Sequence, residues 1–329
     1  MRIIVTGSIA TDYLMVFPGR FAEQIVPDQL ANLSLSFLVE DLAIRRGGAG
    51  ANIAFNLGCL GLAPVLVGAV GADFAEYGQW LCAHGVDTSA VHVSRTLHTA
   101  RFQCTTDSDQ NQIASFYAGA MSESRDIALA PIVDRLGGTD LVVVGPNDPT
   151  AMLAHTQECR DLGIPFAADP SQQLSSLDGE AITQLVEGAN YLFTNTYERG
   201  LLERKTGWGE ADILARVGVS VMTRGAKGVT VQRPGEPVIS VTPPRELAKV
   251  DPTGVGDAFR AGFLAGVAWG VGDERAAQLG CMLATLVIES IGTQEHTFEP
   301  EIFLGRFSEA YGPDSAAEVA DHVHTVRAT

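Results

Sequence analysis

The stretch Asp251-Pro252-Thr253-Gly254-Val255-Gly256-Asp257 sets glycines and carboxylates directly before an apolar run, Ala258-Phe259-Arg260-Ala261-Gly262-Phe263-Leu264. Gly254 and Gly256 let the backbone approach a ligand closely, because no Cβ intervenes. Thr253 is a good N-cap, and Ala258, Phe259, Gly262, Phe263 and Ala265 recur at helical spacing. The pattern therefore predicts a helix beginning after Thr253. The amides of Gly254, Val255 and Gly256 would then point out of its N-terminus as an anion cradle. Asp257 has two readings. A carboxylate in the first turn complements the helix dipole. Beside a bound phosphoryl group it would also take or orient the proton of an attacking hydroxyl, while the amides stabilise the transferred charge.

Other polar residues fall at the ends of predicted elements. Arg2–Gly7 reads as a buried central strand, and Ser8 and Asp12 follow at its carboxyl end, where open α/β sheets collect ligands. Asp12 equally suits a turn or cap. Gly47-Gly48 leads into a helix with Ile53, Leu57 and Leu60 on its apolar face and Asn52 on its first turn. Such a glycine hinge suits a closing lid over a bound polyol. Asn195 and Glu198 have a spacing that serves either as a capping box or as an amide oxygen and a carboxylate on one face for hydrated Mg²⁺. Ser220–Val231 reads as strand, glycine turn, strand, and lacks the Walker A spacing.

The elements that must position these residues alternate. Val65–Gly68, Leu141–Gly145, Pro165–Ala168 and Tyr191–Thr194 are short apolar runs. Between them lie helix-length segments such as Asp73–Ala83, Thr150–Leu162 and Gly179–Val186, a pattern that implies a parallel sheet covered on both faces. Four strand candidates interrupt it: Tyr13–Phe17, Ser34–Val39, His98–Thr105 and Gln112–Tyr117. The last two flank a hydrophilic hairpin loop, Asp107–Asn111, and the set suggests a small sheet standing off the main one. Phe102 and Phe116 within it serve either as packing or as a stacking surface for a flat ligand. Asp273–Ser290 predicts a further helix, and residues beyond about 312 a closing helix and tail.

Composition narrows the class. The 329 residues suffice for one large domain or two smaller ones, and 46% are hydrophobic. A net charge of −17 argues against general affinity for nucleic acid or anionic membrane, so a phosphate ligand needs local donors. Cys59, Cys82, Cys104, Cys159 and Cys281 are scattered and read as reduced residues of a cytoplasmic protein. His322 and His324 read as a solvated tail. There is no signal-peptide pattern and no apolar run of the roughly 18 residues a membrane span needs.

Asp-x-Thr-Gly-x-Gly-Asp at 251–257 resembles the C-terminal signature of the ribokinase-like, PfkB-type family of sugar and nucleoside kinases. Gly47-Gly48 with Asn52 resembles its N-terminal signature. The resemblance spans nearly the whole chain. It implies a single α/β kinase with a central, mostly parallel sheet flanked by helices, built from roughly 1–9, 47–95 and 120–329. A small β-sheet lid would come from roughly 10–46 and 96–119. It further implies ATP and Mg²⁺, K⁺ as an activating ion near Asp251, and Asp257 as the base. Asn195 and Glu198 would organise magnesium and phosphate, and Asn195, Thr223, Gly225, Gly228 and Gly256 would contact ATP. Within the family the chain looks most like the actinobacterial-type adenosine kinases, through Ser-Ile-Ala-Thr-Asp at 8–12, Asp-Pro-Ser-Gln-Gln at 169–173 and the 251–262 stretch. That resemblance implies Ser8, Asp12, Gly48 and Asn52 at the ribose, Phe102 and Phe116 flanking the purine, and Gln172 and Gln173 reading ring edges or ribose. A bare sugar such as ribose or fructose is the alternative substrate. A homodimer through the lid edge is the expected assembly. Pro252 departs from the usual signature but removes no donor from the cradle.

Overall fold

The computed structural model describes residues 1–25 and 35–323. Its strands are β1 Ile3–Thr6, β2 Ala10–Val16, β3 Asp41–Gly47, β4 Val65–Val70, β5 Asp87–Val93, β6 Ala100–Thr106, β7 Gln112–Tyr117, β8 Leu141–Val144, β9 Phe166–Ala168, β10 Tyr191–Asn195, β11 Val219–Thr223, β12 Val229–Gln232 and β13 Ile239–Val241. Nine form one sheet in the order β13-β12-β11-β10-β9-β8-β1-β4-β5. It is parallel from β5 through β11 and closes with two antiparallel strands, β12 and β13. The fold is ribokinase-like, as the alternation and the signatures imply.

The sheet forms because its central strands are continuous apolar runs with both faces covered, the signature of a parallel sheet under helices. All four residues of β1 and of β8 are buried. On one face the sheet packs against helices Ala49–Cys59, Val255–Trp269 and Asp273–Ile288, and on the other against Pro149–Asp161, Gly179–Val186 and Thr196–Thr206. Phe263, fully buried under Phe193 and Tyr191, contributes about 2 kcal/mol by burial alone.

Chain order reverses at β1. From there the strands run to β4 and β5 on one side and to β8 and its successors on the other. Such a switch point leaves a crevice beyond the carboxyl ends of the strands, where ligands bind in open α/β sheets. Ser8, Asp169, Asn195 and Thr223 all lie at that edge.

The second sheet has four strands in the order β3-β2-β6-β7. Tyr13–Phe17 and His98–Thr105 fall on β2 and β6, shifted by two or three residues. The Ser34–Val39 expectation is corrected: Ser34 lies outside the described residues, Leu35–Val39 form no strand, and the partner of β2 is β3 at Asp41–Gly47. The misplacement has a physical reason. The apolar Leu35–Val39 run places Phe37 against Phe17 and Phe21 in an aromatic cluster, whereas β3 carries Arg45 and Arg46 and reads as too polar for a strand. Edge strands β5 and β13 had no clear apolar run to announce them. His322 is likewise no solvated tail, because its ring stacks on Trp269 at 5.3 Å; His324 lies outside the described residues.

Candidate active site

The helix Val255–Trp269 begins one residue later than its sequence suggests. Gly254, not Thr253, is its N-cap, with φ +77°, a left-handed conformation that only glycine adopts without strain. A Cβ at Gly254 would also lie 2.8 Å from the Cβ of Thr293. Thr253 instead belongs to the turn before it, where its N–H donates to Asp251 Oδ1 at 2.9 Å. The other oxygen, Oδ2, accepts from Gly292 N–H at 3.0 Å, so Asp251 ties the signature to the 291–296 loop. Burial would push Asp251 up, yet those donors and Arg45 hold it below the usual carboxylate range. The first intrahelical bond runs from Ala258 N–H to Gly254 O, and Val255 N–H makes only a long 3.4 Å contact with Pro252 O. The amides at the start of the helix are thus left for an external acceptor, as helix N-termini require.

Asp257 sits in this first turn, half-buried among charges. Asn52 Nδ2 donates to its Oδ2 at 2.8 Å. Burial raises its pKa, Arg260 and Asn52 oppose that rise, and Glu198 adds to it. Arg260, one turn along, places its Nε 2.6 Å from Oδ2 of Asp169 at the end of β9. Asp169 is fully buried, and burial pushes it up against the pull of Arg260. The helix therefore carries a buried cation behind a half-buried carboxylate. The Arg260 charge favours the ionised carboxylate and any anion at the helix N-terminus alike.

A glycine hinge positions the other side of the crevice. Gly48 caps the Ala49–Cys59 helix with φ +92°, and a Cβ there would lie 2.5 Å from Ser8 O. Ser8 Oγ accepts from Ala49 N–H at 3.0 Å, so its hydroxyl caps that helix while facing the switch point. The Asn52 side chain reaches Asp257 from this helix.

The small sheet lies over these residues. β2 pairs with β3, β6 and β6 in turn with β7, in a register that aligns Arg45, Asp12, Phe102 and Phe116 in one row across the four strands. Residues in register on adjacent strands share a face. Asp12 feels Asp251 and Asp257, so this face looks into the crevice; burial first, then those two carboxylates, raises Asp12 to about 6. Phe102 is half-buried and Phe116 is 52% exposed, an aromatic surface over an open cleft.

A 420 Å³ cavity opens on the opposite side of the helix N-terminus. It is lined by Asn195, Thr223, Gly225, Gly228 and Gly256, five residues predicted to contact nucleotide. Pro243, Lys249, Cys281 and Ile288 complete its wall, and no motif announced them. Lys227 is exposed and outside it. Asn195 and Glu198 form a full capping box: Asn195 Oδ1 accepts from Glu198 N–H at 2.8 Å and Glu198 Oε2 from Asn195 N–H at 2.7 Å. Among the described residues no group of three or more metal-ligating side chains gathers anywhere. A Mg²⁺ ion bound here would be held as at most phosphate sites, through one carboxylate, water and the phosphates themselves.

Gln172 and Gln173 fall on a short turn after β9. Gln172 is exposed and accepts from Ser171 Oγ. Gln173 is tied into the fold at both ends of its amide, donating to Asn147 O at 2.7 Å and accepting from Ser176 Oγ at 2.9 Å. Sequence reasoning missed Arg260, Asp169 and Thr293. Arg260 carried a signal, since a lone cation inside an otherwise apolar helix stretch needs a buried partner.

Comparison with known proteins agrees with this geometry. The model of the pfkB family carbohydrate kinases matches residues 10–300. The chain is 29% identical to a nucleoside kinase of Methanothermobacter thermautotrophicus over 94% of its length and 96% of the relative's. The structure of Burkholderia thailandensis nucleoside kinase in complex with inosine superposes with a TM-score of 0.83 at 35% identity, covering 95% of this chain and 98% of that one. The nucleoside kinase of Methanocaldococcus jannaschii superposes with a TM-score of 0.82 at 25% identity, over 94% and 98% of the two chains. Among the described residues no helix is long and apolar enough to cross a membrane. With both signatures meeting at one crevice and a family match over most of its length, the chain belongs to the pfkB family of carbohydrate kinases.

Proposed function

We propose that the protein transfers the γ-phosphoryl group of ATP to the 5′-hydroxyl of a purine nucleoside, adenosine in the first instance, giving AMP and ADP for purine salvage. One observation carries this reading: a half-buried carboxylate at a helix N-terminus with free amides, Asp257, stands between a nucleotide-sized cavity and a lid row bearing Asp12 and two phenylalanines. Asp257 takes or orients the hydroxyl proton, and the amides of Gly254, Val255 and Gly256 hold the transferred charge. A carboxylate suffices as base because the transition state is loose and positioning outweighs basicity.

Asp12, Gly48 and Asn52 are the ribose side of the site, with Ser8 beneath them. Phe102 and Phe116 offer π-faces to the base, which a bare sugar has no use for. Gln172, exposed at the rim, is better placed to read a ring edge than Gln173, whose amide is spent within the turn. Mg²⁺ neutralises phosphate charge when bound, with Asn195 and Glu198 as its organisers, and K⁺ is expected beside Asp251. The inosine in the Burkholderia thailandensis structure supports a purine nucleoside. We place the enzyme in the cytoplasm. Its lid face opposite Asp12 exposes Leu42, Ile44, Ile113 and Tyr117, which supports a homodimer through the lid.

The test is ADP release with Mg-ATP against adenosine, guanosine, inosine, ribose and fructose, in wild type and Asp257→Asn. Preference for adenosine establishes the reading, and preference for ribose or fructose replaces the substrate while keeping the kinase. Normal turnover in Asp257→Asn removes Asp257 as base.

A further inference from the structure

An amide side chain has a donor end and an acceptor end, and only its neighbours decide which way it points. For Asn52, the decision begins two residues away in a chain of hydrogen bonds. The indole of Trp80 is a donor only, and its Nε1–H donates to Gln294 Oε1 at 3.2 Å. That contact fixes the acceptor end of Gln294 and turns its Nε2 the other way. Nε2 has two hydrogens and two acceptors there: Asn52 Oδ1 at 2.9 Å and Tyr77 Oη at 2.6 Å. Tyr77 Oη is an acceptor here because its own proton goes to Gly47 O at 2.9 Å. With Oδ1 facing Gln294, Asn52 presents Nδ2 to Asp257 at 2.8 Å.

Thr293 Oγ1 lies 2.9 Å from Asn52 Oδ1 as well, but it is also 2.8 Å from Arg46 O. Its single proton serves one of them at a time. Gln294 is therefore the donor that holds Asn52 continuously, and it is 1% exposed. Arg46 covers the far end, its guanidinium carbon 4.1 Å from the centroid of the Trp80 ring.

The geometry points to Gln294 as a positioning residue: through Asn52 it aims an N–H, rather than an oxygen, at the Asp257 carboxylate, and through Tyr77 it ties the same amide to the Gly47-Gly48 hinge. The inference rests on Asp257 being the working carboxylate of the reaction proposed above. An oxygen in place of the Asn52 N–H would oppose a lone pair to the carboxylate and disfavour its ionised form. The other charged groups around Asp257 come from four elements: Arg260 on its own helix, Asp12 on β2, Asp169 after β9 and Glu198 in the Thr196–Thr206 helix. None of them touches Gln294 in a hydrogen bond or ion pair; a carboxylate at position 294 also adds its own charge near Asp257, which Trp80→Phe does not, so the uncharged variant separates the aim of Asn52 from simple repulsion.

Gln294→Glu replaces the donor by an acceptor of the same shape. Asn52 then turns its Nδ2 to the introduced carboxylate and its oxygen to Asp257. The acid limb of kcat/KM is expected to move up by about one pH unit. The Asp257 signal in a ¹³C-aspartate titration, assigned by its loss in Asp257→Asn, should move with it. Trp80→Phe keeps the ring and removes only the anchoring N–H. It should shift both readouts in the same direction by less, and it serves if Gln294→Glu does not fold. Tyr77→Phe leaves the path from Trp80 to Asp257 intact and should leave the acid limb in place. Uniformly lowered activity in Gln294→Glu and Trp80→Phe, with the limb and the ¹³C titration unmoved, would make Gln294 a packing residue and overturn the inference. A ¹³C shift in these variants together with full turnover in Asp257→Asn would keep the positioning role and remove the base assignment instead.

Discussion

The signature helix and the lid sheet bring carboxylates to the same crevice by opposite means. Asp257 is half-buried, held by a side-chain hydrogen bond and backed by the buried Arg260–Asp169 ion pair. Asp12 stands on a strand held mainly by its ladders to β3 and β6, in register with half-buried Phe102 and in the row that ends at exposed Phe116. The first region has no freedom left in its working parts, and the second keeps a whole face uncommitted. Phosphoryl transfer depends on donors and base fixed to within fractions of an ångström, whereas substrate capture needs a surface that a ligand completes.

The sharpest way to break this contrast is Asp257→Asn. It keeps the shape and the Asn52 contact distance but removes the acceptor for the hydroxyl proton. Turnover should fall by about 10³-fold, within the range for removing a general base, while calorimetric ATP binding persists. Comparable loss of ATP binding would mean the helix N-terminus, not the base, was damaged.

Asp12→Asn tests the other pole. Its folded pKa stands near 6, above the ordinary 3.8, so the stability its protonated form confers is present below about 3.8 and lost as pH rises through about 6. At neutral pH the ionised group destabilises the fold, and in the proposed function it is the acceptor for ribose hydroxyls. Asp12→Asn should therefore raise Tm at pH 7 and raise the nucleoside KM by about tenfold. Wild-type KM should climb as pH falls below about 6, and the variant's should stay flat. A pH-dependent KM in Asp12→Asn would assign that titration elsewhere.

Phe116→Ala asks whether the open face reads a base. KM for adenosine should rise about fivefold with KM for ribose unchanged, because only the base has a π-face to stack. Equal changes for both would make Phe116 a packing residue. The smallest effect is expected at Asn195, whose capping box makes it structural first. Asn195→Ala should cost about 1 kcal/mol, a fall of about 1–2 °C in Tm, and Asn195→Ser should restore it since serine caps equally well. A loss of Mg²⁺ dependence in Asn195→Ser, with Tm intact, would give the amide a metal role beyond the cap.

Much of the fold was legible in the chain. The helix at Gly179–Val186 and the strands at Leu141–Val144 and Tyr191–Asn195 follow from runs whose periodicity a few neighbouring residues specify. β3 was not legible, because Asp41, Arg45 and Arg46 break up the apolar run by which a strand is recognised. For the candidate site the two signatures pointed to Asp257, the amides, Gly48 and Asn52, the Asn-x-x-Glu spacing pointed to Asn195, and the family resemblance of the glycine turn pointed to Thr223. The Pro243–Lys249 part of the cavity wall was hidden, since prolines and scattered charges read as an ordinary loop.

By itself the sequence determined the class of chemistry, the glycine positions and the alternation of strand and helix, all written in residues within a turn or two of one another. Tertiary structure alone decided which end of Asn52 meets Asp257, 205 positions away, and that Arg260 finds Asp169. It also decided that Arg45, Asp12, Phe102 and Phe116 share one row. The reason is physical. Helix caps and strand runs are local free-energy preferences, but amide orientation, ion pairing and cross-strand register are fixed only when distant groups must satisfy one another in a space that excludes water.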